Sequence, residues 1–280
     1  MRKAALALAV LFCGTLCAQN NQGAATGSVN PVFDKYQQPD VSLEVYFTPS
    51  TAKAVSPDEK GFIRRWSLLE PISKPEIRSN TLFTDSYLNE ELNKKYFEGQ
   101  TTTLPKDGDK VTVSLPKPAP RMGMGRPMGG PMGGQPGAAP AAPAAQAQPE
   151  FQDVTLTWHC LDSKRYNVKL YRFATGLKLR ATEGLYLAAT VINVSEDMTV
   201  RLAAGSNSAS MWWVNGEEVL LLSGDRRMVV DDGVSKQITL KKGKNIVRGA
   251  IINGPGMSDF CVRFLDVNGK PVTNYTVSNK

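Results

Sequence analysis

Trp212 and Trp213 stand side by side in the run Ser210–Val214, immediately ahead of the pair Asn215-Gly216. An indole face can stack on the C–H face of a pyranose ring. The sugar's hydroxyls then need a few convergent hydrogen-bonding groups around a shallow site. The neighbourhood supplies both kinds of group. Trp213, Trp212 and Tyr186 offer rings, and Asn215, Asp225, Arg226 and Arg227 offer donors and acceptors, so these seven are the candidate ligand residues. Side chains alternate along a strand, so the two indoles must point to opposite faces, with Trp212 on the Val214 side. One then belongs to a core, and the other is free to meet a ligand.

Other chemistries find less to work with. A serine hydrolase needs a nucleophile, a base and an orienting acid held together. The only histidine is His159, flanked by Trp158 and Cys160, and the chain has no Gly-x-Ser-x-Gly elbow. A glycosidase needs two carboxylates facing each other across the scissile bond. Glu217, Glu218, Asp231, Asp232 and Asp259 are present, but turns of any β-rich chain offer as many. The Asp231-Asp232-Gly233 turn could supply hard oxygen ligands to a structural calcium, although EF-hand spacing is missing. No catalytic residue, no other cofactor and no transition-metal site is expected.

Of the four cysteines, Cys13 and Cys17 fall in the leader described below, which leaves Cys160 and Cys261. In an oxidising compartment these two can form a disulfide; the alternative is a pair of buried thiols acting as small hydrophobes. With so few Cys and His, a zinc site is excluded.

The elements that would position these residues are strands. The runs 110–115, 154–158, 166–173, 184–192, 198–203, 210–214, 217–222, 235–240, 245–252 and 260–265 are β-prone, and turn signals such as Asn215-Gly216 and Asn268-Gly269 separate many of them. Asn-Gly between two such runs marks a hairpin, because both turn residues must accept positive φ. The run 184–192 is apolar almost throughout, as in a strand covered on both faces. Short strands are also expected at 41–47 and within 61–72, and a short helix at 84–97, capped by Thr84 or Asp85. The fold class is therefore all-β: an antiparallel sandwich of jelly-roll type with one short helix and a long disordered inserted loop.

Residues 1–18 read as an export signal, with Arg2-Lys3, an apolar stretch and Leu16-Cys17-Ala18 before Gln19. That apolar stretch is shorter than the ~20 residues needed to span a bilayer. A lipid anchor on Cys17 is disfavoured by bulky Leu16 at a position that lipoprotein signals keep small. Residues 19–40 are polar and aperiodic, a disordered mature N-terminus. The sandwich then occupies 41–270, interrupted at 116–149 by a Pro/Gly/Met/Ala tract that buries too little apolar surface to offset its backbone entropy. Residues 271–280 form a tail. Without Arg2 and Lys3 the net charge falls from +7 to +5, and the bases are scattered (Arg64-Arg65, Lys94-Lys95, Arg226-Arg227, Lys241-Lys242). Nucleic-acid binding needs a concentrated basic footprint, so it is excluded.

One ordered series of these segments resembles a known family. Residues 185–192, Val200-Arg201-Leu202, Trp213-Val214-Asn215-Gly216-Glu217, Leu240-Lys241-Lys242-Gly243-Lys244-Asn245 and Phe260-Cys261-Val262-Arg263-Phe264 resemble galactose-binding-like jelly-roll modules, the sugar-binding sandwiches attached to glycan-degrading enzymes. Trp66-Ser67-Leu68-Leu69-Glu70-Pro71-Ile72 is similar to their first strand, and Leu104-Pro105-Lys106-Asp107-Gly108-Asp109 to a later turn. The chain departs from the pattern at Lys244, where those modules carry tryptophan, and at Ser208-Ala209, where an acidic pair is common. It is also similar to secreted Bacteroidetes proteins that often carry the name acetylxylan esterase. The resemblance implies an exported, periplasmic or surface protein that binds polysaccharide or assists a glycan-processing system, without catalysis of its own. The alternatives are an envelope scaffold that binds another protein and, third, an acetylxylan-type esterase.

Overall fold

The run around Val191 is apolar on both faces because it is covered on both. The computed structural model describes residues 42–74, 85–117, 150–224, 226–254 and 256–280. In chain order these form α1 (Leu43–Tyr46), β1 (Phe47–Pro49), β2 (Arg65–Leu69), β3 (Ile72–Ser73), α2 (Asp85–Asn93), β4 (Lys110–Pro116), β5 (Phe151–Ser163), α3 (Leu170–Gly176), β6 (Gly184–Val194), β7 (Met198–Ser206), β8 (Ser210–Val214), β9 (Glu217–Leu222), β10 (Gly233–Val234), β11 (Ile238–Leu240), β12 (Gly243–Asn253), β13 (Phe260–Leu265) and β14 (Thr276–Ser278). The expected leader, the polar stretch 19–40 and the low-complexity tract from 118 to 149 lie outside the described residues.

Every described ladder between these strands is antiparallel. The larger sheet runs β1-β5-β2-β6-β12-β8-β9, with β4 on β5 and both β3 and β14 on β6; the smaller runs β10-β7-β11, with β13 on β7. The all-β antiparallel sandwich expected from the sequence is what the chain builds. Between the sheets, Trp66, Tyr186, Ile192 and Trp212 from the larger meet Leu202, Phe260 and Phe264 from the smaller. Trp66, Trp212 and Phe260 form an aromatic triangle with ring centroids 5.2–5.9 Å apart. Both buried indoles keep a partner for their N–H: Trp66 donates to the Ile63 carbonyl at 2.9 Å, and Trp212 to Ser210 Oγ at 3.0 Å. Burying a polar group costs little once it is bonded.

A second apolar layer lies on the other side of the larger sheet. There Leu185, Leu187, Met211 and Ile252 pack with Leu88 and Leu92 of α2 and with Val113, Leu156 and Trp158 of the β4–β5 hairpin. β6 thus runs between two hydrophobic layers, which explains its unbroken apolar pattern. The inserted tract leaves and rejoins this hairpin at one place, where Pro116 pairs with Phe151 and the Lys117 amide donates to the Glu150 carbonyl at 2.7 Å.

Four expectations are corrected. The segment 41–47 is not one strand: Leu43 and Tyr46, one turn apart, pack together on the core, so α1 precedes a short β1. The segment 166–173 gives only a bridge at Val168 before α3, because Leu170, Phe173 and Ala174 are buried at helical spacing. Residues 271–280 are not a tail. β14 pairs with β6, and Tyr275 and Val277 are buried in the sandwich, the tyrosine donating to the Gly61 carbonyl at 2.9 Å.

Finally, Cys160 and Cys261 are both free, buried thiols. Cys160 points out of the larger sheet beside Ser67, and Cys261 points out of the smaller sheet beside Met228. Stacked sheets lie ~10 Å apart, and a disulfide needs Cα atoms within about 7 Å, so thiols on opposite outer faces cannot meet.

Candidate functional site

The Asn215-Gly216 turn sets the site's geometry. Both residues take positive φ, 53° and 87°, which closes the tight hairpin between β8 and β9. Asn215 also locks that hairpin to β12: its amide Nδ2 donates to Asn245 Oδ1 at 2.9 Å, and its Oδ1 accepts from the Ile246 amide at 2.8 Å. Within β8, alternation sends Trp212 into the sandwich, fully buried, and Trp213 to the opposite, outer face, half-buried. The pairing with β9 slips between them: Trp212 faces Leu220 and Trp213 faces Glu218, so Val219 is a one-residue bulge. Such a bulge re-aims the side chains beside it.

On the outer face Trp213 stands opposite Arg248 of β12. The two, with Leu187, Trp158, Leu92 and Gln100, line a cleft of about 160 Å3. Its cover is the end of α2 and the loop 94–109. Arg248 holds that loop by donating from Nη1 to the Gln100 carbonyl at 3.2 Å and from Nη2 to the Thr103 carbonyl at 2.9 Å. Gln100 folds the loop on itself, its Oε1 accepting from the Tyr96 amide and its Nε2 donating to the Lys94 carbonyl. A second anchor is the buried pair Lys74 Nζ–Glu91 Oε2 at 2.6 Å, to which the Tyr96 hydroxyl donates, also at 2.6 Å. Burial pushes the Glu91 carboxyl up, but the bonds from Lys74 and Tyr96 and the charges of Lys74 and Lys94 outweigh it, and it sits below its ordinary value. Burial also pulls the Arg248 guanidinium down.

Of the six candidate ligand residues that the structure describes, only Trp213 lies in this cleft. Trp212 is core. Tyr186 is core as well: its hydroxyl donates to the Ala181 carbonyl at 2.8 Å, and burial raises its pKa. Asn215 is exposed, but its amide is committed to the turn. Arg226 lies over the smaller sheet, bonded to Asp232 and to the Ser223 carbonyl; Arg227 is exposed. Asp225 lies outside the described residues. Sequence reasoning missed Arg248, Trp158 and Gln100. A signal for the first was present: Arg248 is the one charged residue in the apolar run 246–252.

The other constellations resolve differently. His159 Nε2 lies 3.1 Å from Glu70 Oε1, and its ring packs edge-on against Phe173. Among the described residues no serine hydroxyl or thiol bonds to that ring. Asp231 and Asp232, the carboxylates considered for calcium, are engaged by Arg263 and Arg226. Among the described residues no group of three or more His, Cys, Asp or Glu side chains is placed to hold a metal.

No protein-family model matches the chain. No curated protein matches it either. Among solved structures it is similar to a β-glucosidase from Kluyveromyces marxianus in complex with glucose, at 20% identity and a TM-score of 0.30, over 39% of this chain and 14% of that one. A selenomethionine-labelled structure of β-glucosidase from the same organism matches at 22% identity and a TM-score of 0.28, over 39% of this chain and 12% of that one. A likeness this weak carries no argument about function.

Proposed function

We propose that the protein is an exported, non-catalytic β-sandwich that binds glycan through the cleft at Trp213. One observation carries this reading. Trp213 is the half-exposed indole of a strand whose other tryptophan is core, and it faces a cleft whose lining also includes Asn93 and Thr101. A ring to stack on, with amide and hydroxyl groups beside it, is what a sugar's two kinds of surface require. Export rests on the signal-like residues 1–18; no described helix is long and apolar enough to cross a membrane.

A second reading, an envelope protein that docks a partner, draws on a different surface. Val229, Val230 and Val234 are exposed close together along the segment beside the smaller sheet. Titration against a panel of plant and host polysaccharides separates the two. Saturable binding that Trp213→Ala abolishes, with the melting temperature held, supports the glycan reading. Absence of saturable binding across the panel, together with recovery in a large envelope complex, supports the partner-binding one.

A further inference from the structure

We infer that the Trp213 cleft selects acidic sugars, with the Arg248 guanidinium receiving the carboxylate of a uronate residue whose ring stacks on Trp213. This inference rests on the glycan-binding reading and goes one step beyond it.

The geometry begins with register. Arg248 and Trp213 are directly opposed in the β12–β8 ladder, so both side chains rise from the same face. A ring lying on the indole therefore carries its substituents past the guanidinium.

Arg248 differs from Arg65, Arg226 and Arg263 in what it is bonded to. Those three are each locked to an aspartate. Arg248 is bonded to two backbone carbonyls, and among the described residues no carboxylate reaches it. Those carbonyls fix the position of the fork while leaving its other N–H donors and its whole charge uncompensated. A guanidinium matches a carboxylate through two parallel bonds, an arrangement neither a neutral hydroxyl nor a water can copy. Burial has already removed part of its hydration, so an arriving anion recovers an interaction that solvent no longer supplies.

The surrounding charge has the same sign. None of the described residues lining the cleft is acidic, and Lys95 adds a second cation at its rim. The nearest acid in the register row is Glu218, exposed on the far side of Trp213 and outside the lining.

The test uses polygalacturonate, alginate and hyaluronan, each paired with its own carboxyl-reduced form, so that one functional group changes and the chain does not. Calorimetric titration of the full chain is expected to show at least one of the acids binding about tenfold or more tighter than its reduced partner, the scale of a charge-assisted hydrogen bond. Added salt should shrink that preference. Arg248→Gln should collapse the acid-to-reduced ratio toward one, and Glu218→Gln should raise it. Circular dichroism melts of both variants check that the fold persists.

Equal binding of acid and reduced forms by the wild type overturns the inference and leaves the glycan reading intact. So does an Arg248→Gln protein that loses both in proportion, since the arginine would then serve only to hold the loop. Binding of sulfated but not of uronate glycans overturns the assignment to a carboxylate. If no polysaccharide binds at all, the glycan reading fails first and the inference fails with it.

Discussion

The indole of Trp212 lies across the backbone of Gly249, its partner in the β8–β12 register; a β-carbon on that glycine would come within 2.4 Å of the ring. The glycine is thus the space that lets a tryptophan enter the core and reach Trp66 and Phe260. Its neighbours Arg248 and Ala250 point the other way, toward the cleft. One short stretch of β12 therefore serves the core with one residue and the candidate site with the next.

Gly249→Ala is expected to destabilise the fold by about 1–3 kcal/mol, because the ring cannot move without disturbing two other aromatics. Urea unfolding followed by tryptophan fluorescence measures it. An unchanged midpoint would mean that Trp212 has room to move that the packing does not show.

How much of this was legible beforehand divides along physical lines. β8 and β9 were read to their end residues, because the Asn215-Gly216 turn and the alternation around the two tryptophans are local signals. α3 was misread because its buried face, Leu170, Phe173 and Ala174, exists only once α1, Phe47 of β1 and His159 of β5 supply a surface to pack on. β14 was missed for the same reason: Tyr275 and Val277 sit in a polar stretch whose pairing with β6 is set by tertiary contacts. At the site, one of the two indoles was expected to face outward, but Arg248 and Gln100 come to it through register and a loop, neither of which composition records. The choice of Arg226 and Asp225 followed nearness in sequence; Arg226 lies over the other sheet.

The free thiols make a chemical prediction. Burial pushes the Cys261 thiol up to about 12, with the Asp231 charge adding to it, and burial also raises that of Cys160 against its hydrogen bond with Ser67. Thiolate, the reactive form, is therefore scarce at neutral pH. Iodoacetamide should label neither Cys160 nor Cys261 in the folded protein and both in denaturant, without any reductant. Intact mass should show both thiol hydrogens. A protein that needs reduction before labelling would contain the disulfide that this geometry rules out.

Arg65, only 1% exposed, is held bidentately by Asp162, with Nε–Oδ1 at 2.6 Å and Nη2–Oδ2 at 2.7 Å, and it donates further to the Thr51 and Lys53 carbonyls. It ties the segment ahead of β2 to the β2–β5 ladder. Asp162→Asn keeps the shape but leaves a buried cation, at an expected cost of about 3–5 kcal/mol. The double change Arg65→Met with Asp162→Leu should recover a large part of that loss, since it removes both charges from the interior. If the double variant is no more stable than Asp162→Asn, the pair contributes more than mutual compensation.

Glu91 gives the cover of the cleft a pH dependence whose sign follows from its bonds. In the folded protein its carboxyl lies below the ordinary 4.5, so the folded state holds fewer protons there than the unfolded one. The stabilisation is complete above the unfolded value and drains away as pH falls through the folded one. The part that should loosen first is α2 with the adjoining loop, because Lys74, Glu91 and Tyr96 pin them together. Amide hydrogen exchange, corrected for its intrinsic pH dependence, should show protection in residues 88–104 falling as the pH drops below the ordinary 4.5, while β6 and β12 stay protected. Glu91→Gln should loosen the same segment already at neutral pH and remove most of the acid step. Uniform loss of protection across both sheets would mean that acid acts on the whole sandwich, and equal protection at both pH values would mean that Glu91 does not hold the cover.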